Sequence, residues 1–213
     1  MLFHFLLMPS NPLARYRLAH KLAAGFGLIE LLVSISVMII VTSVILARHD
    51  TYNSATMLRG QAYDLALTTR EIQLLAVSAT RDQVGFRNVY GLLFSTSNPN
   101  AYVVFRDGDA DHYFDAGEEF GKQGAIDPRF EIDAIRLLGD ASSPDFGPID
   151  TLAIVFERPN FDAGLYKAAN DEAHSGISGV EIDLRVIGST GTGPGELRTI
   201  EITRAGQITV KNI

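Results

Sequence analysis

Ala24-Gly25-Phe26-Gly27-Leu28-Ile29-Glu30-Leu31-Leu32-Val33 opens an apolar run that continues to Leu46 with no proline in it. A helix over Phe26 to Leu46 would span roughly 30 Å, the thickness of a bilayer's hydrocarbon core. Apart from Glu30, its polar residues are Ser34, Ser36, Thr42 and Ser43, all small enough for a membrane helix. Arg15, Arg17 and Lys21 precede it, with no acid among them. That bias keeps the leading flank cytoplasmic and sends everything after Arg48 outward. Met1 to Met8 is almost wholly apolar, so Met8 is an alternative start that leaves a short leader ending at Gly25.

Three readings compete for this segment. A secretory signal would have a core of about 7–15 residues and then a small-x-small cleavage site, and neither is seen. A single-pass signal anchor fits the hydropathy. The third reading rests on Glu30. A carboxylate this near the start of a spanning helix costs on the order of 3 kcal/mol in lipid and marks a function with a partner nearby.

Gly25-Phe26-x-Leu28-Ile29-Glu30-Leu31-Leu32-Val33 resembles the prepilin cleavage and methylation motif of type IV pilins and type II secretion pseudopilins. Small, aromatic, acidic and uninterrupted apolar positions coincide beside a basic leader. The departure is Gly27, where that family usually has Thr or Ser. The resemblance covers about the first quarter of the chain. It implies a leader over residues 1–25, cut by a membrane-embedded prepilin peptidase between Gly25 and Phe26, with methylation of the new Phe26 amine. It also implies other pilin or pseudopilin subunits and an inner-membrane assembly platform as partners, with a separate cytoplasmic ATPase powering polymerisation. Within a bundle of apolar helices, Glu30 of one subunit can pair with the Phe26 amine of its neighbour, a cation with a pKa near 8. That pairing offsets the burial of both charges and fixes the axial register.

Beyond Leu46 the pattern turns amphipathic. Leu58, Leu65 and Ile72 recur every seven residues, with Ala55, Ala62 and Ala76 beside them. One helix is expected from about Phe26 to about Val77, spanning the membrane over 26–46 and packing on a domain over 47–78. Many major pilins have a proline near the membrane exit; here there is none from Phe26 to Ala79.

From 79 to 213 the period becomes two. Strands are expected at Val89–Ser95, Ala101–Arg106, Phe130–Leu138, Thr151–Arg158, Gly179–Ile187, Leu197–Thr203 and Gln207–Lys211. Arg204-Ala205-Gly206 should join the last two as a hairpin. Ser142–Pro148 and Gly188–Gly195 read as linkers, and Asp140, Asp145 and Asp150 as solvated loop acids. The fold class is therefore α+β, a long amino-terminal helix packed on an antiparallel sheet.

Asp107-Gly108-Asp109-Ala110-Asp111-His112-Tyr113-Phe114-Asp115-Ala116-Gly117-Glu118 is the second informative stretch. Counting from Asp107, acids stand at positions 1, 3, 5, 9 and 12, and Tyr113 offers a carbonyl at 7. This is the calcium-ligand spacing of an EF-hand loop. His112 takes the place of the turn glycine and is one of the few other residues that tolerates positive φ. Strands rather than helices flank the loop. The stretch also resembles the Asp-rich segment of H-type minor pseudopilins and competence pilins, often a plain polar hairpin there. Calcium is thus a possible ligand and no cofactor is required; an acidic surface loop without an ion is the other reading.

The formal net charge is −7, and without the three leader cations it is −10. Such a domain repels phosphate backbones, so general nucleic-acid binding is not expected, although Arg198, Arg204 and Lys211 could form a local basic patch. There is no cysteine, so no disulfide can brace a domain outside the cytoplasm. No enzyme is expected. His49, His112 and His174 are scattered, no Gly-x-Ser-x-Gly elbow occurs, and Gly191-Thr192-Gly193-Pro194-Gly195 lacks the Lys-Ser/Thr of a phosphate-binding loop. The expected function is a pseudopilin or minor type IV pilin in a membrane-based filament. The alternatives are a DNA-uptake minor pilin, or a membrane-anchored ligand-binding β domain that does not polymerise.

Overall fold

The computed structural model describes residues 27–78, 89–139, 145–173 and 176–212. Gly25, Phe26 and the leader lie outside them, as does Asp140. One helix, α1, runs Leu28–Ser78. Eleven strands follow among the described residues: β1 Val89–Ser95, β2 Ala101–Asp107, β3 Gly124–Ala125, β4 Phe130–Gly139, β5 Asp145–Ile149, β6 Thr151–Phe156, β7 Ala163–Ala168, β8 Asp171–Glu172, β9 Ile177–Val186, β10 Leu197–Thr203 and β11 Ile208–Asn212. The chain divides into two compact units, Met1–Ile45 and Leu46–Ile213.

In the first unit every described residue is exposed. The stretch Leu28–Leu46 is long and apolar enough to cross a membrane, as a membrane anchor or a signal sequence would be. Its hydroxyls do not compete with the helix. Ser34, Ser36, Thr42 and Ser43 each donate to the carbonyl four residues back, at 2.7–2.8 Å, which satisfies them without water.

In the second unit the strands form two antiparallel sheets, in the order β3-β2-β1-β6-β7-β8 and β11-β10-β9-β4-β5. The seven-residue stripe of α1 is the buried side: Leu58, Ala62, Leu65, Ile72 and Ala76 share one core with Leu92, Phe94, Ile154 and Phe156 of the first sheet and Ile135, Ile182 and Ile200 of the second. Alternation works as a two-residue period requires. Val180, Ile182 and Leu184 are fully buried, while Glu181 and Arg185 face outward. Asp183 also points outward yet is only 1% exposed, because Arg136 grips its carboxylate, with Nη2 donating to Oδ1 at 3.1 Å, and Thr199 donates to it at 2.6 Å.

The second sheet and four strands are additions to the expected layout. β5 falls inside the Ser142–Pro148 stretch read as a linker, so Asp145 lies in a strand. β7 is built from Ala163-Gly164-Leu165-Tyr166-Lys167-Ala168 and has no run of β-branched residues. β3 and β8 are two residues each. β6 stops at Phe156, and Glu157 and Arg158 do not continue it ahead of Pro159. The last hairpin turns through Arg204–Gln207, with Gly206 at φ +75 and Gly206 N–H donating to the Thr203 carbonyl at 2.9 Å.

Behind the first sheet lies a smaller apolar cluster of Val89, Phe105, Ala153 and Val155, against which Tyr113, Phe114 and Tyr166 pack. This cluster seats the acidic loop.

Candidate functional site

Asp107 ends β2, and its carboxylate organises the loop that follows. Oδ1 accepts from the N–H groups of Asp109 (3.2 Å) and Ala110 (2.7 Å), and Oδ2 from His112 (2.9 Å). The chain can wrap this tightly because Ala110 and His112 both take positive φ, 68 and 64. His112 therefore adopts the left-handed backbone that its place in the glycine position implies. At the far end Glu118 closes the loop, accepting from Gly108 N–H through Oε1 (2.6 Å) and from Asp115 N–H through Oε2 (3.0 Å). Asp111 accepts from Tyr113 N–H at 2.8 Å.

The loop is anchored from below. Phe114 meets Phe105 edge-on at 5.9 Å, and the His112 ring stacks on Tyr166 at 4.9 Å with the planes 9° apart. Asn170 N–H donates to the Asp111 carbonyl at 2.8 Å. Burial raises the pKa of the Tyr113 hydroxyl, and burial first, then Glu172 and Glu157, raises that of Tyr166.

The five carboxylates read from the spacing fall into two overlapping groups of three. Asp107, Asp109 and Glu118 place oxygens within 4.8 Å of one another, as do Asp109, Asp111 and Asp115, so Asp109 is common to both groups. Oxygens this close fit a cation held at about 2.3–2.6 Å from each. Each carboxylate has about four lone-pair sites, so backbone bonds to Asp107 and Glu118 still leave acceptors free. The donor set is all oxygen, which suits a hard cation such as calcium rather than a thiolate- or imidazole-seeking metal.

A neighbouring feature had no signal in the sequence. A cleft of about 520 Å³ adjoins the loop, lined by His112, Glu157, Arg158, Tyr166, Glu172 and Arg204 among others. Its walls come from the β6–β7 and β10–β11 connections, and its charges are mixed, with Arg204 paired to Glu172. His112 Nε2 lies 3.8 Å from Glu157, an ion pair when the imidazole is protonated.

Arg198, Arg204 and Lys211 do not make a basic patch. Lys211 pairs with Glu181 and Glu201, each at 2.9 Å, Arg204 is held by Glu172, and Arg198 donates to the Leu197 carbonyl at 2.8 Å. Glu30 stands in the first turn of α1, whose first hydrogen bonds run from the N–H groups of Glu30 and Leu31 to the Gly27 carbonyl at 3.0 and 3.1 Å. Asp150 lies in a bend, its carbonyl accepting from Thr96 N–H at 2.9 Å.

Compared with protein-family models, curated proteins and solved structures, the chain matches none.

Proposed function

We propose that this protein is a pilin-like structural subunit, a pseudopilin or minor type IV pilin. It is processed by a prepilin peptidase after Gly25 and assembles through its apolar helix into an inner-membrane-based filament. The observation that carries this is Glu30: a single carboxylate in the first turn of a segment of membrane-spanning length, five residues after Gly25 and four after Phe26. A plain anchor gains nothing from that charge, whereas a bundle of such helices gains register from pairing it with the Phe26 amine of the next subunit. The domain after Arg48 then lies outside the cytoplasm. In this reading the subunit supplies packing and register, not chemistry. Its Asp107–Glu118 loop holds calcium through Asp107, Asp109, Asp111, Asp115 and Glu118, with the Tyr113 carbonyl as a further ligand.

Glu30→Val tests the assignment. Removing the charge makes the helix more compatible with lipid, so membrane insertion and processing persist. Incorporation into filaments, measured as the sheared or sedimented fraction, should fall sharply. Undiminished incorporation removes Glu30 from the account.

The open cleft beside the loop favours a second reading, a membrane-anchored domain that binds a ligand without polymerising. An unprocessed amino terminus in native membranes supports that alternative.

A further inference from the structure

The outward side of the first sheet is covered unevenly. Tyr113 and Phe114 of the acidic loop pack against the cluster of Val89, Phe105, Ala153 and Val155. Beside them the cover stops. Val155 on β6 and Gly164 on β7 stand opposite each other in register, and both line the open cleft of about 520 Å³. Gly164 helps to keep it open. It has no side chain, so the Tyr166 ring two residues on leans over it; a Cβ at 164 would meet Tyr166 Cε2 at 2.8 Å. The volume falls within the range of about 300–1,000 Å³ that small-ligand sites occupy.

The walls carry donors and acceptors side by side. Glu172 Oε1 accepts from Arg204 Nη2, and Asp162 Oδ2 accepts from Asn160 Nδ2 at 3.5 Å. Each pairing uses one oxygen and one nitrogen. Among the described residues, Glu172 Oε2, Asp162 Oδ1 and further N–H groups of Arg204 and Asn160 therefore remain for a ligand. Another wall is aromatic, made by the His112 ring stacked on Tyr166 at 4.9 Å.

Charge sorts the ligands this cleft could take. Glu157, Asp162 and Glu172 stand against Arg158 and Arg204 around it, so a ligand with a net charge of either sign meets like charges close by. An apolar ligand would strip water from carboxylates and guanidinium groups and return no hydrogen bond. A neutral polyhydroxylated ligand meets neither penalty. Each hydroxyl can donate to a carboxylate and accept from the neighbouring N–H at once, and hydrogen bonds to charged groups are the stronger kind. The C–H face of a sugar ring also has the aromatic wall to pack on.

We infer that this cleft binds a neutral saccharide, held by Asn160, Asp162, Glu172 and Arg204 and packed against the His112–Tyr166 wall. Its polar groups exchange hydrogen bonds with water for hydrogen bonds with sugar, so binding is of millimolar strength. The whole cleft belongs to the unit that begins at Leu46. The site therefore stands whether or not the subunit polymerises.

The test uses the full chain purified in dodecylphosphocholine, a detergent whose head group is not a sugar. Saturation-transfer difference NMR is recorded with maltose, cellobiose, lactose and N,N′-diacetylchitobiose at millimolar concentration. At least one of these should receive saturation, and trialanine, trilysine and triglutamate should not. Asp162→Ala with Glu172→Ala should weaken the binding about tenfold or more, the loss expected when a charge-assisted hydrogen bond is removed. Both residues are exposed, so the fold should survive, and an unchanged unfolding midpoint checks that it does. Should the pair shift the midpoint, Asp162→Ala alone decides. Gly164→Leu, which fills the floor, should weaken binding as well. The inference is overturned if no saccharide receives saturation, if the folded Asp162 variant binds as wild type does, or if a peptide probe binds instead. None of these results bears on the filament reading, which rests on Gly25, Phe26 and Glu30.

Discussion

Gly206→Ala adds one methyl group where three segments of the domain meet. Gln73 on the buried side of α1 is fully buried, and its amide donates to the Phe161 carbonyl at 2.6 Å and the Gly206 carbonyl at 3.0 Å. Phe161 belongs to the β6–β7 connection of one sheet, and Gly206 to the β10–β11 turn of the other. One side chain thus ties the helix to both sheets. A Cβ on Gly206 would land on the Phe161 carbonyl oxygen and against Gln73 Nε2, and the backbone there has φ +75. Alanine in that conformation costs about 1–2 kcal/mol. Displacing the Phe161 carbonyl takes an acceptor from the fully buried Gln73 amide, a further 1–3 kcal/mol or so. The expected loss is about 2–5 kcal/mol, which lowers the unfolding midpoint by roughly 4–20 °C for a domain of this size. Thermal unfolding of the full chain in detergent, followed by near-ultraviolet circular dichroism, measures it. Gln73→Ala removes the same bonds, so the double variant should lose less than the sum of the two single losses by at least about 1 kcal/mol. A Gly206→Ala midpoint within a degree or two of wild type, or strict additivity, would refute the reasoning.

Two further outcomes follow from named contacts. Arg136→Met leaves Asp183, 1% exposed, with Thr199 but without its cation, and should cost about 3–5 kcal/mol in the same unfolding experiment. A variant as stable as wild type would mean that the Arg136–Asp183 pair contributes nothing net to the fold. Calcium at about a hundredfold excess over its Kd should stabilise the domain by about 2.7 kcal/mol. Asp109→Asn with Glu118→Gln should abolish that gain, whereas a wild type that millimolar calcium does not shift has only an acidic hairpin.

The sequence carried the features whose causes are local. Leu58, Leu65 and Ile72 are spaced for one helix face, and that face is buried. Val180, Ile182 and Leu184 alternate with charges, and they are the inward residues of β9. Alternation says which side of a strand is buried but not which strand lies beside it. The division into two sheets was therefore hidden, since β9 takes its neighbour β4 from some forty residues earlier. β5 contains Gly147 and Pro148, and β7 opens Ala163-Gly164, so composition marked the one as a turn and left the other unmarked. The acidic loop was legible because its ligands follow one another along the chain. Its attachment was not, because the ring that His112 stacks on belongs to β7. The neighbouring cleft stayed hidden for the same reason.

The central claim is a processed subunit, and the amino terminus of the protein taken from its native membrane tests it most directly. Intact-mass and amino-terminal peptide mass spectrometry should find a chain that begins at Phe26 with one methyl group on its amine. Replacing Gly25 with leucine should leave the precursor whole in the same membrane. A native chain that retains its leader, or one cut at any other bond, would contradict the account.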